Sequence, residues 1–550
     1  MILLRISYLI FFFNCSSLAT HSFNPEQILA SLTLEEKIGQ LFIATCIIDQ
    51  KENAAIVAHK GYATDINTIK RYIAKYHIGG VIYLGMGTVE PQILATQEFQ
   101  QASKTPLLIA MDFERGLTMR LHDAPRFPYN MTLGALNDNQ LIYQMGAEIA
   151  RECKLIGVHI NLAPVADVNN NPANPVINDR SFGQDPEKVA QKAIAYMQGL
   201  QDNGILACAK HFPGHGDVNT DSHHELPQVT HNIERLHAVE LYPFKKLIDS
   251  NISMIMTAFL EVPALESEQK KPAALSKNIV THLLKEQLGF QGLVVTDGLD
   301  MAGATQYAQD QDIALQALLA GNDLLICSRN IPASIESIQQ AIEAGLLTNQ
   351  ELDQKVLKIL HAKAWALEQQ VTAKAQSQNI LFSSEAADLK KQLFSQTITI
   401  AQDRNQLLPL TPSSCTVITF SKSNKKSTFT QALSSYCHVA EMIISDQHTN
   451  LIELMESYKT DVVIINLLSM TRFAAQNFGI TQSMLEAFHS IRLQGKKIIF
   501  VVFGNPYSLK QFHADDTILI GYENDTDAQE AAAHVLIGKL PAQGALPVTC

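Results

Sequence analysis

Residues 205–223 read ILACAKHFPGHGDVNTDSH. The first five, Ile205–Ala209, are apolar without alternation, and they end on Lys210 and His211 in a run broken by Pro213, Gly214 and Gly216. A short run that is apolar on both faces describes a strand covered on both sides, and the polar residues that follow lie at its C-terminal end. The same pattern recurs at Gly80–Leu84 (GVIYL), Leu107–Met111 (LLIAM), Val158–Leu162 (VHINL), Met254–Ala258 (MIMTA), Leu293–Thr296 (LVVT) and Asp323–Cys327 (DLLIC). Amphipathic stretches such as Pro186–Gln201 and Asn232–Ser250 separate these runs, and Thr33-Leu-Glu-Glu36 is a capping box that opens an early helix. Seven strand-and-helix units over about 340 residues predict a (β/α)8 TIM-like barrel with one irregular strand; a doubly wound open sheet is the alternative.

At 550 residues the chain is too long for one ordinary domain. The barrel is expected over residues 23–365. Residues 366–392, rich in Gln, Ala, Ser and Lys, read as a polar helix or linker. A second strand-and-helix series (Thr416–Phe420, Val462–Leu467, Lys497–Phe503 and Thr517–Gly521) predicts a smaller α/β domain over 393–550. Hydrophobic content of 46% and charged content of 17% describe a protein with ample core, and a net charge of -12 without a basic block argues against a nucleic-acid partner.

The start of the chain differs. Arg5, an apolar run from Tyr8 to Phe13 and Ser17-Leu18-Ala19 read as a signal peptide over residues 1–19, which implies export to the periplasm or beyond. Cys15 opens a lipoprotein alternative, which Asn14 and Phe12 suit poorly. The run is too short for a permanent span and no later stretch looks transmembrane, so stable membrane insertion is not expected. None of the eight cysteines forms a Cys-x-x-Cys pair, which disfavours a zinc ribbon or redox motif. Cys153, Cys208 and Cys327 sit in apolar contexts as small buried hydrophobes. Export would allow a disulfide, but spacing does not choose its partners.

The polar groups have a common position. Asp112 follows LLIAM, Lys210 and His211 follow ILACA, Asp297 follows LVVT, and Asp167 and Arg180 lie in the long loop after VHINL. Barrel active sites are built at these C-terminal strand ends. One such Asp is as readily a helix cap; the whole set is not. A phosphate loop is excluded, because no Gly-Lys-Ser/Thr follows a glycine-rich run. A zinc site from His211, His215, His223 and His224 is disfavoured, since Pro213, Gly214 and Gly216 break the regular structure that usually spaces such ligands, and no metal is expected. Acid/base chemistry suits Asp221-Ser222-His223 best: the carboxylate fixes one imidazole nitrogen and the other is presented to substrate.

Lys210-His-Phe-Pro-Gly-His-Gly216, four residues, then Asp221-Ser-His223 resembles the motif of the β-N-acetylglucosaminidase branch of glycoside hydrolase family 3. Asn161-Leu-Ala-Pro-Val-Ala-Asp167, Val176-Ile-Asn-Asp-Arg-Ser-Phe-Gly183, Thr296-Asp-Gly-Leu-Asp-Met301 and the opening Leu32-Thr-Leu-Glu-Glu-Lys-Ile-Gly-Gln40 agree with it. The resemblance is strong over residues 25–365 and looser over 393–550, ending in Gly538-Lys-Leu-Pro541. It implies a retaining double displacement. Asp297 would be the nucleophile and His223 the acid/base, oriented by Asp221. Asp112, Arg180, Lys210 and His211 would bind sugar hydroxyls, with Asp167 a weaker candidate. Asp300 is the rival nucleophile, for which a helix-start role is favoured. Two departures stand out: Asp112-Phe-Glu-Arg-Gly116 replaces the common Asp-x-Glu-Gly-Gly, and Val218 stands where Thr is frequent. Ser423-Asn-Lys-Lys426 reads as a solvated surface run.

The resemblance implies an exo-acting β-N-acetylglucosaminidase that removes terminal, non-reducing N-acetylglucosamine from short glycans, foremost peptidoglycan fragments. Its partner would be a small oligosaccharide or muropeptide, with no cofactor. The single tryptophan, Trp365, sits in a helical pattern as a core residue, and without an aromatic platform processive attack on chitin is not expected. The alternatives are a β-glucosidase or β-xylosidase of the same family, or a secreted sugar-binding protein with a dead barrel.

Overall fold

The computed structural model describes residues 23–220, 225–308, 312–369, 381–411, 414–444 and 460–550. The expected leader at 1–19, residues 370–380 of the polar stretch, and Asp221, Ser222, His223 and His224 lie outside them. Among the described residues the strands form two sheets.

The first sheet has eight parallel strands: β1 (Phe42–Cys46), β2 (Gly80–Tyr83), β3 (Leu108–Met111), β4 (Ile160–Asn161), β5 (Leu206–Phe212), β6 (Met254–Thr257), β7 (Leu293–Thr296) and β8 (Leu325–Ile326). Neighbours follow chain order from β1 to β7, β8 pairs with β1, and a parallel bridge between Val295 and Leu324 brings β7 against β8. This is the TIM-like barrel. Every residue of these strands is buried, as strands packed inside against barrel-filling side chains and outside against helices must be. Two strands, β4 and β8, are irregular in being only two residues long. β1 was not among the seven expected strands. Its run, LFIATCII at 41–48, follows the helix Leu34–Gly39 with only Gln40 between them, so no strong turn signal separates strand from helix.

The local signals act as physics requires. Thr33 Oγ1 accepts from Glu36 N–H at 3.2 Å and Glu36 Oε2 accepts from Thr33 N–H at 2.8 Å, closing the capping box. The Pro186–Gln201 helix forms with the expected ends, capped by Asp185. The Asn232–Ser250 pattern resolves into two helices, Ile233–Ala238 and Tyr242–Asp249, because Pro243 is tolerated only in a first turn. Trp365 packs, partly buried, against the barrel core. No helix among the described residues is long and apolar enough to cross a membrane.

The second sheet runs in the order β11-β10-β12-β13-β14-β9, with β9 (Thr399–Gln402), β10 (Cys415–Phe420), β11 (Val439–Ile444), β12 (Val462–Leu467), β13 (Lys497–Val502) and β14 (Thr517–Ile520). All pairings are parallel except that of β9 with β14. The sequence pattern missed β9 and β11. Both are half-exposed edge strands, and their apolar signal is correspondingly weak. The helix Asn349–Glu368 runs past Trp365, and the helix Ser384–Thr397 spans the boundary expected at 392/393. Ser423–Lys426 is exposed.

Loops beyond the C-terminal ends of β12, β13 and β14 meet the barrel. Glu523 accepts from Tyr129 N–H at 2.7 Å and from the Thr132 hydroxyl at 2.6 Å, and pairs with Arg126. Tyr507 donates to the Asn169 carbonyl at 2.7 Å, and the Asn505 amide donates to the Asn178 side chain.

Candidate active site

The barrel mouth holds a cavity of about 400 Å³ lined by Asp112, Glu114, Arg180, Lys210, His211 and Asp297, among others. Each arrives from the end of a strand or the loop beyond it. Asp112 and Glu114 follow β3, and Phe113 between them is tied down by Asn161 of β4, whose Oδ1 accepts the Phe113 N–H at 3.0 Å. Lys210 and His211, joined by a cis peptide, lie at the C-terminal end of β5.

Glycines let the next loop pack close. A Cβ on Gly216 would lie 1.9 Å from the Val168 carbonyl oxygen, and Gly214, at φ +131°, would bring one to 2.8 Å from Glu240 Cβ. That approach lets Asp167 accept the backbone N–H of His215 at 2.7 Å and contact His211 Nδ1 at 2.7 Å.

The charged groups form one chain. Asp112 pairs with Arg120 at 2.6 Å and with Lys210 at 2.8 Å. Lys210 reaches Glu114 at 2.9 Å, and Glu114 is gripped by Arg180 through two bonds, at 2.8 and 3.0 Å. Arg180 Nη2 stands 3.3 Å from His211 Nε2. Burial pushes the Asp112 carboxyl up, but Lys210 and Arg120 together outweigh it and hold it well below the usual range. For Glu114 burial is likewise overcome, by Arg180 and then Lys210. Burial also opposes ionisation of Asp167, and His211 more than offsets it. All three carboxylates therefore remain ionised acceptors. Burial, and then the neighbouring His211, hold His215 neutral with a pKa lowered to about 4.

Asp297 stands immediately after β7. Its N–H donates to the Thr257 carbonyl at 2.9 Å, and its Oδ1 accepts the Gly298 N–H at 2.7 Å. The carboxylate is thus anchored at one oxygen, and the other makes no hydrogen bond among the described residues. Asp300 does not start the following helix as expected. Its Oδ2 pairs with Lys60 at 2.6 Å and accepts from the Tyr62 hydroxyl at 3.0 Å, so both partners reach it from the segment between β1 and β2, Lys60 from the end of the helix Ala54–Lys60.

Every expected site residue among the described ones reaches this cavity or the shell behind it. Asp112, Arg180, Lys210, His211 and Asp297 line it; Asp167, fully buried, sits behind His211. Asp221 and His223 lie outside the described residues. The segment carrying them is bracketed by Asp217 and His231, whose side chains meet at 2.5 Å. Histidine clustering does not make His211 a metal ligand here, since Asp167 takes one ring nitrogen and a guanidinium stands beside the other.

The structure adds Glu114, Arg120, Lys60 and Arg472, and it brings Asp300, the rival nucleophile of the sequence reading, to the same cavity. Glu114 was legible in Asp112-Phe-Glu114 by its two-residue spacing. Arg120, Lys60 and Arg472 lie outside the quoted motifs and carry no local signal. Arg115, the departure from the common glycine, lies 4.6 Å from the centre of the Tyr129 ring and leaves the Asp112 pairing intact. Arg472 belongs to the loop after β12. It pairs with Asp179 at 3.0 Å, and its carbonyl accepts from the Asn178 amide at 2.8 Å.

Comparison with known proteins agrees with this geometry. Residues 33–362 match the profile described as the glycosyl hydrolase family 3 N terminal domain. Beta-hexosaminidase A of Pseudoalteromonas piscicida is 30% identical over 554 aligned positions, covering 88% of this chain and 90% of that protein. Beta-hexosaminidase LpqI of Mycobacterium tuberculosis is 31% identical, over 62% of this chain and 85% of its own. A family 3 beta-N-acetylglucosaminidase from Paenibacillus sp. str. FPU-7 superposes with a TM-score of 0.77 at 30% identity, covering 94% of this chain and 99% of that one.

Proposed function

The chain belongs to glycosyl hydrolase family 3 and is a glycoside hydrolase, and from that premise we propose that it is an exported, retaining exo-β-N-acetylglucosaminidase acting on short glycans such as peptidoglycan fragments. The observation that carries this reading is the placement of Asp297. Its carboxylate projects from the end of β7 into a cavity that also holds the cross-linked Asp112, Lys210, Glu114 and Arg180.

In the proposed reaction the sugar enters with its hydroxyls toward Asp112, Lys210 and His211. Asp112 stays ionised and accepts from hydroxyl groups; the cations donate to their oxygens. Asp297, held at Oδ1 by the Gly298 N–H, attacks the anomeric carbon with Oδ2. His223, oriented by Asp221, gives its proton to the departing oxygen, and a glycosyl ester forms on Asp297. His223 then takes a proton from water, which attacks the same carbon and releases the sugar with its original configuration. Fragment-sized substrates suit a cavity of this volume. Two relatives carrying the hexosaminidase name over most of their length support the N-acetylated sugar. The apolar run at Tyr8–Phe13 supports export.

The test is hydrolysis of nitrophenyl N-acetyl-β-glucosaminide against the β-glucoside and β-xyloside, with products from chitobiose and muropeptides resolved by chromatography and the first anomer read by NMR. Preference for the glucoside or xyloside, or an α-anomer as first product, would overturn the assignment. No turnover of any glycoside would favour the sugar-binding alternative.

A further inference from the structure

Among the described residues one pair of thiols is in contact. Cys415 Sγ lies 3.6 Å from Cys437 Sγ. Cys46, Cys153, Cys208 and Cys327 are each buried in the barrel, and Cys550 is exposed. Cys415 opens β10 and is fully buried; Cys437 is half-exposed and stands two residues ahead of β11. The Cys415 N–H donates to the His438 carbonyl at 3.1 Å, and Cys415 is in register with Val439. The two sulfurs therefore sit side by side at the same end of adjacent parallel strands. Forming the bond, about 2.05 Å long, would require the two side chains to rotate toward each other.

We propose that Cys415 and Cys437 are the site of a disulfide that staples the edge strand β11 to β10 when the chain meets an oxidising thiol–disulfide couple. Among the described residues β11 pairs only with β10, and four of its six residues are half-exposed, so it is weakly held by packing. The bond would join residues 22 positions apart, which removes conformational freedom from the unfolded chain.

The half-exposed Cys437 reacts first. As thiolate it attacks one sulfur of an oxidised disulfide, such as glutathione disulfide, and expels one thiolate, leaving a mixed disulfide. Cys415 then attacks the Cys437 sulfur; the intramolecular S–S bond forms and the second glutathione thiolate leaves. The two protein thiols lose two electrons, the reagent gains them, and both protons end on the two released thiols. Burial, and then the adjacent sulfur, push the Cys415 thiol up to about 12, which agrees with its acting second. Export would supply such a couple. The inference does not depend on which glycoside is cleaved.

The experiment uses the full chain equilibrated with oxidised glutathione, blocked with iodoacetamide and mapped by mass spectrometry. The expected result is a crosslink between the peptides holding Cys415 and Cys437, and a Tm about 5 °C above that of dithiothreitol-treated protein. Cys437→Ser, at the half-exposed position, should lose the dithiothreitol effect. Alkyl label on both cysteines after oxidation, or a crosslink joining other cysteines, would overturn the proposal. Should the variant not fold, the wild-type peptide map decides alone.

Discussion

Arg180 holds Glu114 by two hydrogen bonds, Nη2 to Oε1 at 2.8 Å and Nε to Oε2 at 3.0 Å, and Glu114 is buried. The pair is the keystone of the cavity wall, since the same Glu114 carboxylate also receives Lys210 at 2.9 Å. Glu114→Gln should leave two buried cations partly uncompensated and cost about 3 kcal/mol of stability. It should also weaken sugar binding, because Lys210 and Arg180 would both lose the carboxylate that fixes them in the cavity wall. Urea unfolding and KM on a nitrophenyl glycoside check this. Unchanged stability would mean that the cations find other partners.

Asp297→Ala is expected to remove hydrolysis while leaving the fold intact. Loss of a nucleophilic carboxylate should lower kcat by at least about 10³-fold, or ~4 kcal/mol of barrier. Asp300, tied to Lys60 and Tyr62, is not free to replace it. Near wild-type turnover in Asp297→Ala would move the nucleophile to Asp300.

His223→Ala should slow a disaccharide far more than a nitrophenyl glycoside. A sugar alkoxide needs the proton as its bond breaks, whereas an activated phenolate scarcely does. Asp221→Asn should reproduce part of the loss. Equal fractional losses on both substrates would reduce His223 to a loop or sugar contact.

Arg472→Ala should raise KM by about tenfold while lowering kcat much less, since Arg472 braces Asp179 one residue before Arg180. This also tests whether the second domain lacks an essential catalytic group. A fall in kcat to the level of Asp297→Ala, with fold and sugar affinity kept, would contradict that.

Stability should fall as the solution is acidified below neutral. His159 and His215 are buried, and burial first, then Lys363 and His211 respectively, lower each pKa to about 4. Unfolded, each titrates near ~6.5, so between those values the unfolded chain binds more protons. The stabilisation is present in full above about 6.5 and is lost as pH falls toward 4, by roughly 3 kcal/mol per histidine at full extent. The depressed carboxyls of Asp112, Glu114 and Asp167 add their own loss below the usual carboxylate range. Urea unfolding at pH 7.5, 6 and 5 measures the slope, and a flat profile would sink the account.

Periodicity and strand-end chemistry were properties of the sequence itself. ILACA and LVVT declare buried strands because a strand covered on both faces has no polar side, and the polar groups fall at the barrel mouth because Lys210 and His211 end one such strand and Asp297 directly follows another. What only the tertiary structure decided was which charges meet. Lys60 and Asp300 are 240 positions apart, and Asp179 and Arg472 are 293 apart, yet each pair is in contact. β1 escaped notice because its apolar run continues from a helix without punctuation, and β9 and β11 because edge strands need little apolar surface. Local pattern records how a segment must be covered. Ion pairing depends on where closure of the barrel and docking of the second sheet bring distant loops, and no short window of sequence contains that distance.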